Sequence, residues 1–427
     1  MITLQNRLLP FLTGLAVFAY LLNPYRGWLF LALALGGMWG LARLWAKSLA
    51  LGLRLRREMR FGWRQVGDRL EERFTLVNAG FLPALLVEVD YRSSMPGYQP
   101  GRATSVGIGS ETIWEVKGVC TRRGLYTLGP VTLRAGDPFG VYRAEVTVPG
   151  QQSLLVAPPV IPLPGIEIAP GGRAGEGRLR RRALEQTASA SHVREYLPGD
   201  SLRRIHWRTT ARRGSLFVRE MEDNPASDWW ILVDLEARLQ RGAGFQTTDE
   251  HAIILAASLA VKALRAGHAA GLVLGGREFV TLPPRHGEEQ RQAILHALAL
   301  ASPGMYPLAG LLARAGRIFR QSPSLVIITA SPEPAWVQAL AARLETGIVP
   351  TVIFLDPATY PGAGAHSGEA VLAMLADFGI ARHVFPAAAF NLPEARPGTR
   401  GHWGWAQARS NRAVLKDAPG DLEWKQV

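Results

Sequence analysis

The sequence predicts an all-β sandwich-like domain followed by an α/β domain, the two preceded by a two-helix transmembrane hairpin. Three observations predict it: two long uncharged apolar runs near the start, short alternating strands between about residues 53 and 162, and a regular exchange of apolar strands with helical stretches from residue 228 onward. A chain of 427 residues is long enough for two or three domains. With 48% hydrophobic and 19% charged residues it is neither disordered nor a charged coiled coil. The single cysteine, Cys120, excludes an intramolecular disulfide, and no Cys/His cluster has zinc-ligand spacing. Both facts place the bulk of the chain in a reducing compartment.

The hairpin occupies residues 1–52 together with its basic flank. Residues 8–25 carry no charge, and after Arg26 a second uncharged run covers 27–42. Each approaches the roughly 20 apolar residues that cross about 30 Å of hydrocarbon. Asn23-Pro24-Tyr25-Arg26-Gly27 reads as the turn between them, and Trp28, Trp39 and Trp45 suit the headgroup level. A signal peptide is the competing reading of the first run, but no A-x-A site follows it and a second apolar run does. Arg43, Lys47, Arg54, Arg56, Arg57 and Arg60 follow the second run, opposed by Glu58, whereas the short loop holds Arg26 alone. Positive residues stay inside, so both ends are expected to face the cytoplasm from the inner membrane.

Between residues 53 and 162 about seven short strands alternate in polarity and are separated by turn residues, as a sandwich requires. Asp137-Pro138-Phe139-Gly140 reads as a turn between two of them, since Asp-Pro starts turns and Gly tolerates positive φ. Residues 163–191, rich in Gly, Ala, Ser and Arg, read as a linker or mobile loop. The α/β domain spans 192–392, with strands expected at 229–233, 270–274, 325–329, 349–355 and 383–385 and helices between them, an order that predicts a parallel sheet. The tail, 393–427, has no clear periodicity.

The most informative stretch runs from Arg194 to Glu220. Pro198-Gly199 makes a turn, Asp200 is placed to cap a helix, and Gly214 is placed to stop it. At helical spacing Arg204, Arg208 and Arg212 share one face, and Arg203, Trp207 and Ala211 another. Residues 173–219 hold twelve arginines against four carboxylates, so much of the net charge of +13 is local to this region.

The pattern Tyr196, Gly199-Asp200, Arg203-Arg204, Ile205-His206-Trp207, Arg208, Ala211-Arg212, Gly214, Leu216 and Val218-Arg219-Glu220 resembles the signature of bacterial domain-of-unknown-function family fifty-eight. Asp137-Pro138-Phe139-Gly140 and the paired amino-terminal apolar segments are similar to that family too. The resemblance implies a von Willebrand A-like fold for the carboxy-terminal domain. It also implies association with MoxR-type AAA+ ATPases and other membrane proteins, and it supplies no biochemical activity.

Several chemistries fail on the residues. A metal-dependent adhesion site needs Asp-x-Ser-x-Ser after the first strand, because a hard cation takes carboxylate and hydroxyl oxygens. Here the run is Asp234-Leu235-Glu236-Ala237-Arg238, with a cation where the second serine belongs. No metal or other cofactor is therefore expected. Nucleophilic catalysis lacks a histidine beside Cys120 and a G-x-S-x-G elbow, and no P-loop is present. Nucleic-acid binding would fit the basic composition, but part of the excess lies beside the membrane, where topology and anionic lipid account for it. The expected function is a membrane-anchored, non-enzymatic scaffold with Tyr196 to Glu220 as its interaction segment. The rival is an enzyme acting on a phosphorylated or other anionic substrate through Asp200, Arg203, His206 and Arg212.

Overall fold

The structure is a computed structural model. It describes residues 1–60, 64–163, 165–169, 190–196, 205–221, 228–316, 318–319, 324–344, 348–362, 368–391, 405–407, 413–415 and 424–426. The linker expected at 163–191 lies mostly outside the described residues, as does most of the tail at 393–427.

The chain divides into two units, the first made of Met1–Val160, Leu298–Leu300 and Asn391–Val427, the second of Ile161–Ala297 and Ala301–Phe390. In the first, strand β1 (Ile2–Leu4) leads into helix α1 (Leu8–Leu22) and then α2 (Arg26–Gly52). Among the described residues α2 is the one helix long and apolar enough to cross a membrane, and α1 is a shorter apolar helix. Strands follow as β2 (Leu53–Arg60), β3 (Arg64–Gln65), β4 (Arg69–Asn78), β5 (Ala84–Ser93), β6 (Arg102–Val106), β7 (Glu111–Val119), β8 (Gly124–Gly136), β9 (Tyr142–Val148) and β10 (Gln152–Ala157). Six of these join β1 in a seven-stranded sheet with the order β1-β9-β8-β10-β3, in which β5 also pairs with β8 and β6 pairs with β5. The others, β2, β4 and β7, form a second sheet.

Both sheets feed one core: Leu55, Leu70 and Phe74 from the second, Val87, Leu128 and Leu133 from the first. Phe74 stacks on Trp114 with ring centroids 5.4 Å apart. Within this core lies a fully partnered ion pair. Glu72 accepts from Arg57 Nη2 at 2.8 Å, from Tyr91 Oη at 3.1 Å and from Tyr98 Oη at 2.8 Å. Arg57 Nη1 also donates to the Leu128 carbonyl at 3.3 Å. A buried charge pair persists only when its remaining donors and acceptors are occupied, which is the case here.

The second unit starts with β11 (Ala190–Glu195), α3 (Trp207–Arg213) and β12 (Phe217–Met221), in which β11 and β12 pair antiparallel. Next come β13 (Trp229–Asp234), the small hairpin β14 (Gly242–Ala243) and β15 (Gln246–Thr247), and α4 (Thr248–Arg265). The rest is β16 (Ala270–Gly275), β17 (Phe279–Arg285), α5 (Glu288–Leu300), α6 (Leu308–Ala315), β18 (Ser324–Thr329), α7 (Ala335–Leu344), β19 (Val349–Leu355), α8 (Glu369–Asp377) and β20 (Ala381–Phe385). The first unit also includes three short strands of the tail, β21 (Trp405–Gln407), β22 (Ala413–Leu415) and β23 (Trp424–Gln426), of which β23 pairs with β2.

The six-stranded sheet of this unit has the order β17-β16-β13-β18-β19-β20. It is mixed rather than wholly parallel, since β17 runs antiparallel to β16 at the edge. β17 carries Pro283 and Pro284, and an edge strand is where a sheet tolerates proline. The central strands β13, β16 and β18 are buried along their whole length, as strands covered on both faces must be. The chain builds outward from β13 in one direction through β16 and in the other through β18. The order therefore reverses between β13 and β18, at a crevice outside their carboxyl ends where open α/β sheets bind ligands.

Candidate functional site

Two places concentrate polar chemistry in the second unit: the signature segment and the switch point of the sheet. In the signature segment, helix α3 begins at Trp207, not near Asp200. His206 is its cap: the ring Nδ1 lies 2.7 Å from Thr209 Oγ1 and accepts from Thr209 N at 3.3 Å. Gly214, at φ +73°, ends the helix and donates its N–H to the Thr210 carbonyl. The left-handed conformation there favours glycine over any residue with a Cβ. Thr210 Oγ1 accepts from Phe217 N at 3.0 Å and His206 N donates to the Phe217 carbonyl at 2.7 Å, so α3 is fastened to β12.

Of the residues the sequence singled out, Gly199, Asp200, Arg203 and Arg204 lie outside the described residues. Tyr196 is half-buried and donates its N–H to the Leu216 carbonyl, and Arg219 and Glu220 sit in β12 opposite Val193 and His192. Arg208 and Arg212 are both exposed on α3, four residues apart and hence on one face. Trp207, expected to pack helix against sheet if the segment were merely structural, is instead 67% exposed. His206 Nδ1 is committed to the cap, so the acid–base role that the enzyme reading gave this residue would fall to Nε2.

At the switch point, Asp234 ends β13 and Thr329 ends β18. Thr329 Oγ1 donates to Asp234 Oδ2 at 2.7 Å, and Asp234 Oδ1 accepts from Glu236 N at 3.1 Å. Ser331 N in turn donates to Thr329 Oγ1 at 2.9 Å. Burial pushes the Asp234 carboxyl up to about 6, more than these hydrogen bonds pull it down, and the neighbouring Glu236 and Glu333 carboxylates add to the rise. Arg238 bridges those two neighbours. It pairs with Glu236 and holds Glu333 in a fork, Nη1 to Oε1 at 2.7 Å and Nη2 to Oε2 at 2.8 Å. The Gly304 N–H and carbonyl bond to Leu235 and Ala237, and a Cβ on Gly304 would collide with the Gly276 carbonyl, so the loop closing this crest requires glycine.

This donor set does not fit a divalent cation. Both Asp234 oxygens are already engaged, and the guanidinium of Arg238 already pairs with both glutamates. Among the described residues no group of three His, Cys, Asp or Glu side chains is arranged to hold a metal ion. Arg238 was legible as a misfit in the sequence, but its partner Glu333 was not, because 95 residues separate them and only the strand order brings them together.

Residues 192–359 match the family described as protein of unknown function DUF58. An uncharacterized protein of Mycobacterium tuberculosis (strain ATCC 25618 / H37Rv) is 28% identical over 199 residues, 45% of this chain and 58% of the relative. An uncharacterized protein of Bacillus subtilis (strain 168), YeaD, is 31% identical over 112 residues, 26% of each chain. This chain thus spans little more than half the length of the mycobacterial relative it matches. Among solved structures, an aerotolerance-related membrane protein from Bacteroides fragilis NCTC 9343 is 17% identical with a TM-score of 0.28, covering 40% of this chain and 98% of that one. A von Willebrand factor type A protein from Catenulispora acidiphila is 16% identical with a TM-score of 0.26, covering 38% and 40%.

Proposed function

From the premise that residues 192–359 are a DUF58 domain, we propose that this chain is a membrane-anchored interaction protein whose signature segment presents an aromatic and basic face to a protein partner. In this reading α1 and α2 form a transmembrane hairpin, the two-sheet unit is a β-sandwich, and the second unit is a von Willebrand A-like domain. The observation that carries it is the surface of α3, where Trp207 is 67% exposed beside the exposed Arg208 and Arg212. A helix of seven residues gains little by forming alone, yet this one is capped at both ends and fastened to β12. Exposed tryptophan flanked by arginine is the composition of an interface anchor.

The charge of that face selects an acidic partner surface. A MoxR-type AAA+ ATPase is the partner the family resemblance brings forward, and other membrane proteins are candidates for the same assembly. The basic segment after α2 supports an inner-membrane location with both units in the cytoplasm. The test is copurification from detergent-solubilised membranes with the full chain carrying Trp207→Ala, Arg208→Glu and Arg212→Glu. These exposed changes should each alter stability by no more than about 0.5 kcal/mol, while the AAA+ ATPase captured by the unaltered chain is lost. A folded triple variant that keeps its partner refutes the reading.

A further inference from the structure

We propose that the end of the two-sheet unit from which α1 and α2 emerge is a membrane-seating surface. Its turns sink into the headgroup layer of the bilayer that holds α2, and the exposed cations beside them bind that layer's anionic phospholipids. The proposal rests on the membrane-anchored reading above.

The strand registers gather the relevant turns at one end. Helix α2 runs into β2 where Leu53 lies opposite Asn78, the last residue of β4. Val77 faces Glu111 at the start of β7, Ala84 at the start of β5 faces Val106 at the end of β6, and Gly136 at the end of β8 faces Arg143. At the same end Leu4, last in β1, faces Tyr142. The turns 79–83, 107–110 and 137–141 and the entry to α1 are therefore neighbours.

Each turn exposes one large apolar side chain where polar turn residues are the rule: Phe81 at 58%, Ile108 at 58% and Phe139 at 44%. Leu85 and Leu86, also exposed, line a shallow cavity of about 180 Å³ with Pro138 and Arg143. Contiguous exposed apolar surface rimmed by charge marks a site of protein or membrane contact. The tips are held outward by buried polar groups. Asp137 Oδ1 accepts from Phe139 N at 2.7 Å, and Ser48 Oγ of α2 accepts from Phe81 N at 3.1 Å and Leu82 N at 3.2 Å.

What identifies lipid as the occupant is the hairpin itself. At 1.5 Å per residue the 15 residues of α1 reach about 22 Å, short of the roughly 30 Å of hydrocarbon. For α1 to cross, its base must lie below the near edge of the apolar layer. That base is Leu9, which packs with Ala42 of α2 and with Val141 of the 137–141 turn. Lowering α1 carries Phe139 into the headgroups with it. Arg7, Arg43, Lys47 and Arg143 are exposed around this end, against Glu88 and Glu111, so the rim is on balance basic where anionic lipid would meet it.

The experiment uses the full chain reconstituted in vesicles of phosphatidylethanolamine and phosphatidylglycerol, with Cys120 replaced by Ser and a nitroxide placed through Phe139→Cys, Phe81→Cys or Ile108→Cys. Leu33→Cys in α2 reports anchoring, and Leu125→Cys, exposed at the far end of β8, reports water. Relaxation by lipid-soluble oxygen should exceed relaxation by a water-soluble nickel complex at 139, 81, 108 and 33, and the ratio should invert at 125. A label at 139 as water-exposed as that at 125, with 33 in lipid, overturns the seating and leaves the anchoring intact. A label at 33 in water overturns both. Adding Lys47→Glu and Arg143→Glu should raise the 139 label toward water, and an unchanged depth overturns the assignment of these cations to lipid phosphate. Slowed amide exchange at Phe139 and Gly140 on reconstitution of the unaltered chain is the matching expectation without a label, and unslowed exchange there overturns the seating.

Discussion

Replacing Asp234 by Asn isolates the electrostatics of the switch point. The carboxyl is 2% exposed and held near 6, against an ordinary 3.8, chiefly by burial. In the folded chain it therefore keeps its proton at pH values where the unfolded chain has lost it. A group whose acidity is weakened by folding favours the folded state under acid, so wild-type stability should fall as pH rises from about 4 to about 6 and then level off. The difference between those two values corresponds to about 3 kcal/mol. For a unit of this size that is a shift of about 6–12 °C in melting temperature. Asparagine keeps both hydrogen bonds, with Oδ1 accepting from Glu236 N and Nδ2 donating to Thr329 Oγ1, but does not titrate. The melting temperature of Asp234→Asn minus that of wild type should therefore grow by about that amount between pH 4 and pH 7. Taking the difference cancels Asp68, the other aspartate that burial raises to about 6. A difference that is flat with pH, or that shrinks as pH rises, refutes the assignment of an unfavourable buried carboxylate at this position.

Two further outcomes test the fold around the sites. Glu72→Gln keeps the shape of the buried network but leaves Arg57 without its counter-charge, so it should destabilise the two-sheet unit by about 3–5 kcal/mol, read as a drop in its thermal transition; a loss under about 1 kcal/mol would mean that the tyrosines and carbonyls alone satisfy the guanidinium. Gly214→Ala should cost about 1 kcal/mol through the left-handed cap at φ +73°, and because α3 carries the proposed face it should weaken partner capture while leaving the first unit's melting transition in place.

The elements that were legible in the sequence are those whose periodicity is undiluted. The long apolar run of α2 and the strands β13, β18 and β19 declare themselves because each holds a continuous apolar stretch, with the buried polar residues of β13 and β18 at the strand ends. β8 is hard to see as one strand in the sequence, because Gly129-Pro130 has the composition of a turn. In the fold, Gly129 at φ +88° lets one strand continue through it, pairing with β10 before and with β5 and β9 after. β1 escaped because three residues carry no period, and only pairing with β9, far along the chain, makes them a strand. The cap of α3 was misassigned for a related reason. Asp is the better cap by propensity, but His206 is positioned by its own N–H bond to Phe217, a contact no local rule contains. Long-range pairing likewise created the Asp234–Thr329 and Arg238–Glu333 contacts.

These last contacts bear on where the protein can meet its partners. A crevice at a switch point is where open α/β sheets bind ligands. Here the chain's own groups fill part of that role: Arg238 pairs with both Glu236 and Glu333, and Thr329 and the Glu236 N–H occupy Asp234. A free cation would have to displace a guanidinium bound in a fork, and a carboxylate ligand would have to compete with two glutamates already tethered beside it. Both contests are against intramolecular partners at high effective concentration. An ion-dependent contact at the crest would have to break these internal pairs, which favours the proposal that recognition uses surfaces whose large side chains have no such internal partner. Among the described residues the tryptophan of α3 and the apolar turns at the α2 end of the two-sheet unit are such surfaces, and they are the ones proposed above for a protein partner and for the membrane.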